Sequence, residues 1–77
     1  MTDDPLTLDV RGLACPLPVL RAKKALDRIE PGAVLTVLAT DPGALRDFPS
    51  LCQQTGHHLL ESGQEGEVYR FRIQRKG

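Results

Sequence analysis

Cysteine and histidine are the residues here best placed to do covalent, proton or metal chemistry: Cys15, Cys52, His57 and His58. Cys15 opens the run Cys15-Pro16-Leu17-Pro18, which leads into VLRAKKALD. Pro16 suits a first helical position, and Pro18 also falls among the residues whose N–H groups lack an intrahelical partner. The two prolines therefore place Cys15 at a helix N-terminus. Leu17 precedes a proline, which disfavours helical dihedrals for it, so the first turn is either tight or begins at Pro18. Cysteine is not a preferred N-cap residue. What the position offers a cysteine is stabilisation of the thiolate by the helix dipole and free N–H groups. The expectation is an exposed, nucleophilic sulfur with a pKa below the usual value of about 8.5 and Leu17 N–H as its donor. The alternative is a buried cysteine acting as a small hydrophobe.

Cys52 shares a helical stretch with Phe48, Leu51 and Thr55, a spacing that suits the core better than reactivity. His57 and His58 are adjacent on a predicted strand. They should point to opposite faces, where two imidazoles do not readily share one ion; one of them could face solvent and titrate. The chain carries no paired carboxylates, glycine-rich phosphate loop or Ser-His-Asp pattern.

Positioning Cys15 falls to a regular series of elements. Residues 6–10 alternate apolar and polar, as in a half-buried strand. Residues 11–14 form a short loop, and a helix over 16–29 ends at Pro31-Gly32. Residues 33–40 are apolar at nearly every position and read as a central strand. Asp41 should cap the next helix, with Pro42 in its first turn. Pro49 then predicts a break: a short turn over 42–47 and a helix over 49–55, closed by Gly56. A strand over 57–62, a turn over 63–66 and a strand over 67–75 complete the series, with Tyr69, Phe71 and Ile73 on one face of the last. The order β-α-β-α-β-β predicts an α+β, two-layer sandwich with both helices on one face of a four-stranded mixed sheet.

On a helical wheel, Val19, Ala22, Ala25, Leu26 and Ile29 make the core face of the first helix. Arg21, Lys23, Lys24, Asp27 and Arg28 fill the opposite arc, with Leu17 and Leu20 among them near the cysteine. That outer arc is a candidate partner-docking surface, in particular Leu17, Leu20, Arg21, Lys24 and Arg28, with Arg21 placed closest to the cysteine. Its alternative is an ordinary solvated face. Arg70, Arg72, Arg75 and Lys76 form a second basic stripe without aromatic stacking partners on the same side, which argues against direct nucleic-acid binding.

Seventy-seven residues suit a single domain over 1–77, with a small core and a modest stability margin. Ten Lys and Arg balance ten Asp and Glu, so no bulk attraction to nucleic acid or anionic lipid is expected. The acidic start Met1-Thr2-Asp3-Asp4-Pro5 lacks a signal-peptide pattern, and no apolar run is long enough to span a bilayer. The expected location is cytoplasmic, with both cysteines as thiols and no membrane partner. They are far apart in sequence and form no CxxC pair.

Gly12, the Cys15-Pro16-Leu17-Pro18 motif and VLRAKKAL closely resemble the signature of the TusA/SirA-like sulfur-carrier family; TDPGALRDFPSLCQQTGHHL resembles its later half. The resemblance implies the sandwich just described. It implies a sulfurtransferase that accepts sulfane sulfur as a persulfide on Cys15, with Gly12, Pro16 and Pro18 as supporting motif residues. The implied donor is a cysteine desulfurase or another sulfurtransferase, and the implied acceptor is a sulfur-relay protein. The pathway would be tRNA 2-thiouridine synthesis or dissimilatory sulfur oxidation, with no metal or organic cofactor. The resemblance gives Cys52 no role. Two other readings stay open: a non-covalent RNA- or protein-binding regulatory module, and a thiol-disulfide protein, which the lack of a nearby resolving cysteine disfavours. A free monomer is expected.

Overall fold

The computed structural model describes residues 6–77, so the acidic start at 1–5 lies outside the described residues. Its elements are β1 (Thr7–Asp9), α1 (Leu17–Leu26), β2 (Val34–Ala39), α2 (Ala44–Thr55), β3 (His58–Glu65) and β4 (Val68–Gln74). The sheet order is β1-β2-β4-β3. β1 runs parallel to β2, while β2–β4 and β4–β3 are antiparallel. This is the predicted α+β sandwich.

Period-two alternation builds the core. Leu35, Val37 and Ala39 of β2 and Phe71 and Ile73 of β4 are fully buried on one sheet face. Register sets Leu35 opposite Ile73 and Val37 opposite Phe71. Ala22 and Leu26 of α1 and Ala44, Phe48, Leu51 and Cys52 of α2 join the same cluster, so both helices cover that face. The rings of Phe48 and Phe71 stack with centroids 4.6 Å apart, tying α2 to the sheet.

Three elements differ from expectation by more than one residue. α2 runs unbroken through Pro49. A proline in a helix interior costs about 3 kcal/mol. Phe48 and Leu51 flank it, and burying each contributes about 1.5–3 kcal/mol, enough to offset the loss. α1 stops at Leu26 rather than at 29, and Ile29 is buried from the turn that follows. There Arg75, expected on a basic stripe, donates to the carbonyls of Ile29 and Asp27. β3 continues through Gly63-Gln64-Glu65, predicted as turn, with a register shift between Leu59 and Glu61. The hairpin turns instead at Gly66-Glu67, where Gly66 has φ +60°.

Candidate functional site

Parallel pairing of β1 with β2 puts the loops that follow them at the same end of the sheet. The first loop carries Cys15 and the second leads into α2. The first is tied down along its length. Asp9 accepts from the Arg11 amide at 3.1 Å and from its guanidinium at 2.9 and 2.8 Å. Those contacts hold the exposed Asp9 carboxyl down at about 2. Val10 N–H donates to the Leu38 carbonyl. Gly12, at φ +83°, donates its N–H to Thr40 Oγ1 at 2.9 Å. That dihedral favours glycine, and the bond joins the two loops.

Leu17 is the first residue of α1; Pro16 is the flanking cap, and Pro18 is buried at the second helical position. The Cys15–Pro16 peptide is cis. Leu17 N–H donates to the Ala14 carbonyl at 2.9 Å, closing the turn around Cys15 rather than meeting the sulfur.

The sulfur's partner comes from α2, which follows the other loop. Cys15 is exposed, and its Sγ donates to Asp47 Oδ2 at 2.7 Å. α2 begins against it: a Cβ added at Gly43 would lie 3.3 Å from Cys15 Cβ and 3.6 Å from Sγ. Asp41 does not cap α2 itself. Its carboxylate accepts Gly43 N–H at 3.0 Å, and its carbonyl accepts Ala44 N–H, so it shapes the turn before the helix. The expected fall in the Cys15 pKa is reversed. The hydrogen bond to Asp47 pushes the thiol up, desolvation and the charges of Asp47 and Asp41 add to it, and Arg46 opposes them.

A groove of about 280 Å³ opens beside the sulfur between the helices. Pro16, Val19, Leu20 and Lys23 line one wall, and Asp47, Ser50 and Gln54 line the other. Leu17 and Leu20 are 45% and 55% exposed. Arg21 and Lys24 of α1, with Arg28 from the turn after it, line a separate groove of about 630 Å³ with Thr7 and Leu8. The predicted docking residues are thus split: Leu20 lines the cysteine's groove, Arg21, Lys24 and Arg28 line the other, and Leu17 lines neither. Lys23, not Arg21, is the α1 cation that lines the cysteine's groove. Lys23 was legible only as one of the charges on the outer arc, and Asp47 carried no local signal.

Cys52 is buried at 6% exposure, and burial pushes its thiol up. β3 begins at His58, so His57 lies just before the strand and not on it; His58 is exposed, while His57 is buried and its Nδ1 accepts Lys76 N–H at 3.1 Å. Burial, then the charges of Lys76 and Arg75, push His57 down. Among the described residues no His, Cys, Asp and Glu cluster in a way that could hold a metal ion. No helix there is long and apolar enough to cross a membrane.

A family model described as sulfurtransferase TusA matches residues 6–75. The chain belongs to the TusA family. It is 49% identical over 75 residues to the sulfur carrier protein TusA of Allochromatium vinosum, an overlap covering 97% of this chain and 99% of that one. It is 57% identical over 70 residues to a candidate sulfur carrier protein of Neisseria meningitidis serogroup B, covering 91% and 95%. Among solved structures it resembles a SirA-like protein of Desulfitobacterium hafniense, with a TM-score of 0.80 and 32% identity over 92% of this chain and 97% of that one. Family and relatives together support a sulfur-carrier role, which implies sulfur relay between a donor and an acceptor protein.

Proposed function

We propose that the whole chain works as one cytoplasmic sulfur-carrier domain, free as a monomer, and that Cys15 bears the sulfur as a persulfide. The donor is a protein persulfide, on a desulfurase or another sulfurtransferase. Cys15 Sγ bonds to the donor's terminal sulfur as the donor's S–S bond breaks. The donor sulfur leaves as a thiolate and takes the proton that Cys15 gives up, so nothing is oxidised or reduced overall. An acceptor thiolate then attacks the carried sulfur in the same way, towards tRNA thiolation or sulfur oxidation. Neither step calls for a metal or organic cofactor.

The observation that carries this reading is the exposed Cys15 sulfur at the mouth of a groove, with Leu17 and Leu20 exposed beside it. Gly12, Pro16 and Pro18 shape its loop, and Leu17, Leu20, Arg21, Lys24 and Arg28 serve partner docking. The RNA-binding alternative loses ground because Arg70 pairs with Glu61 at 3.2 Å and Arg75 holds carbonyls at the end of α1. The test is incubation with a cysteine desulfurase and cysteine, read by intact mass. Wild type should gain one sulfur atom and Cys15→Ser none; loading of Cys15→Ser would refute the assignment.

A further inference from the structure

The contact between Cys15 and α2 has a direction. A carboxylate only accepts hydrogen bonds, so the 2.7 Å contact between Sγ and Asp47 Oδ2 needs the proton on sulfur. A thiolate in the same place would meet the carboxylate with no proton between them. The backbone keeps the two together: Gly43 packs against Cys15, and Asp47 N–H donates to the Gly43 carbonyl at 2.9 Å, one turn into α2. The other charged groups around the sulfur are Asp41 from the loop before α2, Arg46 of α2 and Lys23 of α1 across the groove. Asp41 acts with Asp47, and Arg46 acts against it.

We infer that Asp47 is a positioning residue for Cys15, holding the unloaded sulfur as a hydrogen-bonded thiol at the groove mouth. The purpose assigned to this lock rests on Cys15 being the sulfur-bearing residue. A carrier released between partners meets small oxidants and electrophiles, and a thiol reacts with these far more slowly than a thiolate. Sulfur exchange is thereby reserved for docked partners, where the surroundings of the Asp47 carboxylate change. On loading, the terminal sulfur extends one bond beyond Sγ and the thiol proton that made the contact is gone.

The test is the pH profile of iodoacetamide alkylation, quantified by mass spectrometry on the peptide containing Cys15 so that Cys52 does not contribute. The urea-unfolded chain supplies the reference. In the folded wild type the midpoint should lie above that reference. In Asp47→Asn and Asp47→Ala it should fall, with circular dichroism confirming the fold. The rate at pH 7 should rise about threefold for each unit of fall, the tenfold gain in thiolate being partly cancelled by weaker nucleophilicity. A wild-type midpoint at or below the reference overturns the inference without any variant. So do folded variants that keep the wild-type midpoint and rate. A carrier whose Cys15 takes no sulfur would leave these profiles unchanged, and coincident profiles would leave sulfur loading unchanged, so the two readings fail separately.

Discussion

Cys15 Sγ and Asp47 Oδ2 lie 2.7 Å apart across 32 residues of sequence. The contact joins the loop after β1 to the first turns of α2, and Gly43 packs against the Cys15 side chain.

Gly43→Ala should therefore disturb the site without unfolding the chain. Its φ of −60° is open to any residue, but the new Cβ would sit 2.7 Å from Asp41 Oδ2 and 3.3 Å from Cys15 Cβ. Asp41 must move and its bond to Gly43 N–H weakens, a cost of about 0.5–1.5 kcal/mol. A urea titration should show that loss, and Cys15 alkylation should change with it.

The division of the docking residues makes a sharper prediction than their number. Leu20→Ala should raise the partner's dissociation rate, because Leu20 lines the cysteine's groove. Lys23→Glu should slow association with an acidic partner by up to about tenfold at low salt, and flatten its salt dependence. Arg21→Glu with Lys24→Glu should do the same only if the partner also covers the groove beside β1. Transfer kinetics across an ionic-strength series separate the cases. Unchanged rates in every charge variant would mean that the helix cations are solvated surface.

Cys52→Ser should load sulfur at the wild-type rate. The position is buried, and a hydroxyl without a partner there should cost about 1–3 kcal/mol, seen as a lower urea midpoint. A stable variant unable to pass sulfur onward would instead give Cys52 a place in the relay.

Stability should fall in mild acid through His57. Its folded pKa is depressed, first by burial and then by Lys76 and Arg75, so the folded state favours the neutral ring that accepts Lys76 N–H. The unfolded chain binds the proton more readily. Stability from this group is therefore complete above the ordinary histidine value of about 6.5 and is lost as pH falls through the folded value. Urea midpoints between pH 7.5 and pH 5.5 should decline, and His57→Gln, which keeps an acceptor but cannot titrate, should flatten the decline.

Periodicity made most of the fold legible. The alternation of Tyr69, Phe71 and Ile73, and the wheel placing Ala22 and Leu26 inward, are local patterns that packing reinforces. Pro49 misled because its backbone penalty is local whereas the burial of Phe48 and Leu51 depends on the sheet. Gly63 misled in the same way: its glycine suggested a turn, but pairing with Arg70 across the hairpin extends the strand. At the site, Cys15 could be read from the prolines beside it. Asp47 could not, because only the parallel pairing of β1 with β2 brings its carboxylate to the sulfur. That contact is the largest cause of the thiol pKa running opposite to expectation, and desolvation and the Asp41 charge add to it.

The most direct measurement is peptide mapping of the loaded carrier before and after an acceptor protein is added. Loading from a desulfurase should place one extra sulfur on the peptide containing Cys15 and none on that containing Cys52, and the acceptor should remove it. Sulfur found on Cys52, or sulfur on Cys15 that no relay protein can discharge, would contradict the account.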